Sequence, residues 1–422
     1  MVLPDKAAVG SGETALVGTY LPRCCGIATF TYDLAETLAR VHPSRSGVIV
    51  AAMNDRPEGY AYPERVKLQI RCDVVDDFLQ AAEYLNRHSR VVSLQHEYGI
   101  FGGGCGENVL HLIRRLRVPL VVTCHTVYPE PDPDKKAVFD EIVSRADRLI
   151  VMNQYAMPYL ESLHGARRSQ IVYIRHGIHD VPFVDPPVKK RVFGVNGPVL
   201  LTFGLLHRNK GLEQAVEAMA TIVRARPDAT YVVAGETHPV IKREEGEAYR
   251  SELKHQVKTL GLESHVKFID RFAELSDLMA YLEETDIFVA PYLTLDHMTS
   301  GPLSYAVGAG KPVVATPFLH ARELLANGRG RFVPVGDPLA LAEVVLDLLE
   351  NQPARDAMRR RAYAHTRSMV WPAIAREYAR IFDDVTREVE PLRVGEKVVS
   401  SVAAQPTVAV RSTAHRDAIP PS

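Results

Sequence analysis

Short runs of Val, Ile and Leu recur along the chain, separated by longer stretches in which apolar residues return every three or four positions. The runs at 15–19, 48–53, 91–94, 120–124, 149–152 and 171–174 read as strands. Residues 27–40, 78–87, 109–116 and 136–144 read as helices between them. Strands that are apolar throughout, and not only at alternate positions, are buried on both faces, and intervening helices are the crossovers a parallel sheet requires. At 181–198 the pattern breaks into VPFVDPPVKKRVFGVNGP, whose prolines predict a linker. It restarts with strands at 199–203, 231–234, 266–269, 287–290 and 312–315 and helices at 212–224, 244–260 and 274–283. Three further helices, 339–350, 355–366 and 371–385, follow. From about 393 periodicity fades, and 393–422 is expected to be a disordered tail. The expected architecture is α/β: two Rossmann-like parallel-sheet domains, 1–185 and 196–370, facing across a cleft at their strand C-termini.

Composition narrows the partners. The 422 residues hold 50 lysines and arginines against 51 aspartates and glutamates, a net charge of −1, so no bulk attraction to nucleic acid is implied. Five cysteines (Cys24, Cys25, Cys72, Cys105 and Cys124) form no CxxC and no disulfide framework, which fits a reducing cytoplasm. The first residues, MVLPDKAAVGSGE, lack a basic region followed by an apolar core, so no signal peptide is expected, and no apolar run is long enough to span a membrane. At most peripheral contact is expected, through the basic run from Arg355 to Arg367 at the inner membrane face, although a solvated helix surface explains that run as well.

Candidate chemistry gathers after the strands. The stretch TDIFVAPYLTLDHMTSGPLSYAVGAGKPVVATP, 285–317, reads as strand, loop, helix and strand. Thr299, Ser300 and Gly301 stand where its helix begins, a place that suits either an anion or an ordinary N-cap. The loop PRCCGIAT, 22–29, offers Gly26 for a tight turn close to a ligand. LQHEYGIFGGG, 94–104, places His96, Glu97 and Tyr98 directly after a strand, and CHTVY, 124–128, does the same for His125. As metal ligands, His96, Glu97 and His125 fit no zinc spacing, so no metal is expected. FGLLHRNKG, 203–211, brings Gly204, Arg208 and Lys210 to a helix start, where cations are unfavourable unless an anion joins them.

The segment APY…TSGPLSYAVGAGKPVVATPFLHARELLANGRGRFVPVGDP resembles the donor-binding segment of family 4 glycosyltransferases with the GT-B architecture, nearest a mannosyltransferase-like branch. The resemblance runs from about Val17 to about Tyr378. It implies a retaining transfer of a hexose from a nucleotide diphosphate sugar to a saccharide or glycolipid hydroxyl, with no cofactor. GDP-mannose is the preferred donor and a UDP-sugar the alternative. A sugar phosphorylase, a nucleotide-sugar epimerase and a non-catalytic nucleotide-sugar-binding module are the competing functions. The resemblance also implies that helix 371–388 crosses back to the first domain. It places Gly26, Gly204, Lys210, Phe272, Thr299, Ser300, Gly301 and Tyr305 on the donor, and His125 beside the reacting sugar; the place of the family's arginine holds Leu205, and Arg208 is expected to substitute for it from nearby. His96, Glu97 and Tyr98 would contact sugar or acceptor. The family's two glutamates, eight positions apart, are replaced by His297 and Tyr305, so Asp296 or His297 is expected to take over the sugar contact.

Overall fold

The computed structural model describes residues 12–41 and 47–402. The first half is a seven-stranded sheet in the order β3-β2-β1-β4-β5-β6-β7, built from β1 (Glu13–Gly18), β2 (Val48–Asn54), β3 (Val66–Arg71), β4 (Ser89–His96), β5 (Leu120–Cys124), β6 (Arg148–Val151) and β7 (Ile171–Tyr173). The second is six-stranded, β10-β9-β8-β11-β12-β13, from β8 (Val199–Phe203), β9 (Thr230–Ala234), β10 (Val266–Ile269), β11 (Ile287–Ala290), β12 (Val313–Ala315) and β13 (Arg331–Phe332). Every pairing is parallel: Leu16 faces Val50 on one side and Ser93 on the other, and Phe288 faces Val313.

All five residues of β5, β8 and β9 are buried, as their unbroken apolar runs require. Alternate residues still divide between the two faces, with Ala15 and Val17 in one core and Leu16 in the other. In each half the strand order reverses beside the first strand, between β1 and β4 and between β8 and β11. Loops leaving these neighbours diverge and open a crevice at the strand C-termini, where ligands of such sheets bind. The loops after β1, β4, β8 and β11 are those that begin near residues 19, 97, 204 and 291.

The final helix, Trp371–Val402, returns to the first half. Its Trp371, Ile374, Tyr378 and Phe382 pack with Leu16, Phe30 and Val121, and Tyr378 and Thr123 share a hydroxyl hydrogen bond at 3.2 Å. The helix continues through ten residues of the expected tail, 393–402, so the fading pattern there does not end it; residues 403–422 lie outside the described residues. The expected helix at 244–260 is two helices, Pro239–Glu245 and Ala248–Thr259, parted at Gly246, which takes φ +63°.

Part of the basic run is turned inward, while Arg360 and Arg361 stay exposed. Arg359 is 3% exposed and donates to the Val184 carbonyl at 2.6 Å, with Phe183 of the linker against its guanidinium. Arg367 binds Asp180 at 2.7 Å and the Gly308 carbonyl at 2.6 Å, and Arg355 caps the carbonyls of Leu348 and Leu349. Arg359 thus ties its helix to the linker, and Arg367 ties the turn after that helix to Asp180, just before the linker. Among the described residues no helix is long and apolar enough to cross a membrane.

Candidate active site

Lys210 closes the short turn after β8. Its ammonium donates to the Phe203 carbonyl at 3.0 Å and, among the described residues, has no carboxylate partner. Gly204 takes φ +106°, and a Cβ there would lie 2.8 Å from Lys210 Nζ and 3.2 Å from Pro302. Glycine therefore leaves room for the ammonium beside the first turn of helix Gly301–Gly308. Burial pushes the Lys210 pKa down to about 8. The Tyr292 ring lies 5.9 Å from the ammonium, stacked on Phe318 at 4.7 Å, with His297 edge-on to Tyr292 at 5.5 Å.

Three histidines share this corner. Packing of protein around its ring, then Lys210 and His207, lower the pKa of His297, which still keeps an exposed face; burial, then His207, Lys210 and Arg23, push His238 down to about 4. His207 is lowered too, by burial and Lys210, and its Nδ1 accepts the Asn209 amide at 3.1 Å. All three rings are neutral at physiological pH and offer hydrogen bonds without charge. Arg23, on the loop after β1, is held by the Met53 carbonyl at 3.3 Å and by Asp55 at 3.4 Å, and its field at His238 brings the first half to the same corner. Gly26 starts helix Gly26–Val41, and a Cβ there would meet nothing, so the protein's own packing does not demand the glycine.

On the facing side, His125 is 7% exposed, edge-on to Phe30, with Nε2 3.1 Å from Gln95 Oε1. That amide oxygen assigns the proton to Nε2 and leaves Nδ1 an acceptor. Burial, with His176 and His96 nearby, holds the ring neutral, its pKa near 3. Glu97 accepts from Thr126 at 2.6 Å and from the Tyr98 amide at 3.0 Å, and burial raises its pKa. Asp296 comes close enough across the cleft to push up the Tyr128 hydroxyl, after burial, Glu97 and Lys135 have acted on it.

Several expected contacts are corrected. His96 is 1% exposed and packs against Tyr98, Phe101 and Phe139 inside the first half; Tyr98 is 5% exposed in the same cluster. Successive residues leaving β4 point to opposite sides, so of the three only Glu97 turns toward the cleft. Arg208 faces away from the cleft: Glu252 at 2.6 Å and Glu245 at 2.9 Å hold its guanidinium over the Tyr249 ring. Ser300 is a buried N-cap that accepts the Leu303 amide and donates its own amide to His320 Nδ1 at 2.8 Å. Thr299 and Gly301 flank it, and Phe272 lies half-buried after β10. Tyr305 donates to Asp33 of the first half at 3.3 Å and stacks on His179.

Sequence reading missed Asp33, His176, His179, Tyr292 and His320, whereas GETHP, 235–239, with His238, is expected from it to line the cleft. A signal existed for Asp33: it is the charged residue, with Thr31 and Thr37, on the buried side of a helix whose other buried residues are apolar. Among the described residues no group of three His, Cys, Asp or Glu is arranged to hold a metal.

With the geometry in view, the comparisons with known proteins decide the family. Residues 25–180 match the Glycosyltransferase Family 4 model and residues 188–365 the Glycosyl transferases group 1 model. The chain is a glycosyltransferase. It is similar to the lipopolysaccharide core biosynthesis mannosyltransferase LpsB of Rhizobium meliloti, 26% identical over 58% of this chain and 68% of that protein. It is also similar to the mannosylfructose-phosphate synthase of Agrobacterium fabrum, 24% identical over 82% of this chain and 80% of that one. Among solved structures, Anabaena HepE in complex with UDP and glucose superposes with a TM-score of 0.70 at 18% identity, covering 88% of this chain and 100% of that one. These two sheets are thus the two halves of a GT-B glycosyltransferase.

Proposed function

We propose that this glycosyltransferase moves a hexose from a nucleoside diphosphate sugar to a hydroxyl of a saccharide or glycolipid, with retention of anomeric configuration. The observation that carries this reading is Lys210: a half-buried ammonium without a carboxylate partner, set between a strand end and the first turn of a helix. A cation in that place is unfavourable alone and favourable once a diphosphate joins it. As the glycosidic bond to the diphosphate breaks, negative charge grows on the leaving oxygen, and a preorganised cation there stabilises the transition state. Thr299, Gly301 and Gly204 would border the diphosphate.

Across the cleft, His125 Nδ1 would accept a hydroxyl hydrogen of the transferred sugar, with Asp296 and His297 at its other hydroxyls. Glu97 would face the acceptor. Closure of the halves excludes water and suppresses donor hydrolysis. Mannose is the favoured hexose because the names of both similar enzymes, LpsB and the mannosylfructose-phosphate synthase, involve mannosyl groups. The UDP bound to HepE keeps a uridine donor as the second choice.

Incubation with GDP-mannose, UDP-glucose and related donors, with and without saccharide acceptors, tests the reading. Nucleoside diphosphate release that requires acceptor, with product retaining the donor's anomeric configuration by NMR, supports it. Dependence on inorganic phosphate would indicate a phosphorylase, donor isomerisation without acceptor an epimerase, and tight binding without turnover a sugar-nucleotide sensor.

A further inference from the structure

The ring of His125 is held by a side chain that is itself sealed from the cleft. Gln95, on β4, is fully buried, and its register partner on β5 is Thr123, two residues before His125. Its amide bridges two groups: Nε2 donates to the Ser93 hydroxyl at 3.1 Å, and Oε1 faces His125 Nε2, also at 3.1 Å. Ser93 is buried too, so this chain of polar groups ends inside the first half. The neighbouring strand β1 makes room for it. A Cβ at Gly18 would lie 2.9 Å from Gln95 Cβ and 3.3 Å from its Cγ, although the backbone of Gly18 is not left-handed. The glycine is thus demanded by the glutamine side chain.

Phe30, from helix Gly26–Val41, meets the same imidazole edge-on at 4.8 Å and is backed by Trp371 at 5.1 Å. The ring is fixed between an amide and an aromatic side chain. Its Nδ1 makes no hydrogen bond among the described residues, yet it is not one of the buried polar atoms cut off from solvent. His96, next to Gln95 in sequence, is the opposite case, with an Nδ1 that is both unpartnered and sealed. A carbonyl oxygen at one nitrogen of a neutral imidazole holds the proton there and leaves the other nitrogen an acceptor. Without that oxygen the ring divides between two tautomers, and in one of them Nδ1 can only donate.

We infer that Gln95 is a positioning residue: by accepting the Nε2 proton of His125 it keeps Nδ1 free to accept a hydroxyl hydrogen of the transferred sugar. The inference rests on the placement of His125 at that sugar, whereas the tautomer it requires does not. No neighbouring group competes for the role. The titratable residues nearest His125 are His176 and His96, which burial holds neutral with pKa values of about 4 and about 3. Burial likewise keeps Tyr378 of the final helix a neutral phenol, and Asp33 of helix Gly26–Val41 is engaged by His179 and Tyr305.

Long-range proton–nitrogen NMR correlation spectra of histidine-labelled protein read which nitrogen of each ring is protonated, and the signal lost in His125→Ala identifies that of His125. Acceptor-dependent turnover and nucleoside diphosphate affinity are compared, with GDP-mannose or UDP-glucose as donor, in wild type, His125→Ala, Gln95→Leu and the isosteric Gln95→Glu. Wild type should carry the proton on Nε2. Gln95→Leu should show a mixture of tautomers, with turnover lower by about tenfold and nucleotide affinity within about twofold, the scale of one neutral hydrogen bond lost at the sugar alone. Gln95→Glu, which carries the test if the leucine variant does not fold, keeps Nε2 protonated but favours the charged ring and so raises its pKa. Below that pKa Nδ1 is protonated and cannot accept, so turnover of Gln95→Glu should gain an acid limb that wild type lacks and recover as pH rises. A glutamine that only fills space would produce no such limb. A proton on Nδ1 in wild type overturns the inference, and so do Gln95 variants that turn over as wild type does at every pH while His125→Ala is impaired. If His125→Ala turns over normally although wild type shows the Nε2 tautomer, the sugar contact of His125 fails and the positioning role falls with it.

Discussion

Tyr305 donates its phenolic hydrogen to Asp33 Oδ2, 3.3 Å away and 272 positions apart in sequence. The same oxygen takes His179 Nε2 at 3.1 Å. One buried carboxylate thus joins the first helix, the segment that leaves the first sheet, and helix Gly301–Gly308. The residue at the place of a family glutamate is used to hold the two halves together.

Tyr305→Phe removes one hydrogen bond to a carboxylate and should cost about 1.5–3 kcal/mol of stability. Donor affinity should stay within about threefold, under ~1 kcal/mol. Tyr305→Glu restores the family residue but sets a second carboxylate against Asp33, and should be the less stable of the two variants. Urea unfolding and nucleotide titration of both variants check this. A glutamate variant that is more stable than wild type and binds nucleotide more tightly would show that the tyrosine occupies the ribose position.

Arg208→Ala should leave kcat/KM within about twofold, because its guanidinium is committed to surface carboxylates, which contribute little even to stability. Steady-state kinetics suffice to measure it. A tenfold loss would mean that the arginine leaves Glu245 and Glu252 for the donor.

For Lys210 the pKa near 8 fixes the sign of the pH effect. Below it the ammonium is charged and attracts a diphosphate; above it the amine is neutral. Donor kcat/KM should therefore fall as pH rises through about 8. The bound diphosphate favours the charged form, so kcat at saturating donor should fall only at higher pH. Lys210→Arg, whose charge does not titrate in this range, should abolish the alkaline fall whatever its effect on rate. An unchanged alkaline limb in that variant would assign it to another group.

The two histidines at neighbouring strand ends should separate cleanly. His125→Ala should lower transfer more than nucleotide affinity, whereas His96→Ala should chiefly destabilise, by about 2–4 kcal/mol, since it empties a packed aromatic cluster. Thermal melts alongside turnover distinguish them. Equal loss of free-nucleotide affinity in His125→Ala would remove that residue from the sugar.

Much of this arrangement is legible in the chain, for a physical reason. Apolar runs such as Leu120–Cys124 can be satisfied only by burial on both faces, so strand positions and the parallel sheet follow from them. The loops after β1, β4, β8 and β11 then carry the chemistry, because the strand order reverses there. Direction within a loop is less legible. His96 and Glu97 are adjacent, yet one packs inward and the other faces the cleft, and Arg208 is two residues from Lys210 but finds Glu245 and Glu252 on the two helices after β9. Least legible are contacts between the halves. Asp33 meets Tyr305, and Tyr173 meets Glu323, only after both sheets have folded and met, and no local pattern records such a meeting.

The most direct measurement compares Lys210→Ala with wild type for acceptor-dependent turnover and for nucleoside diphosphate affinity, with a thermal melt to confirm folding. Loss of one preorganised charge at the leaving group should lower turnover by about a hundredfold or more and weaken the nucleotide, while the melt changes little. A folded variant that binds and turns over the donor as wild type does would contradict the placement of the diphosphate between Gly204 and the helix at Gly301.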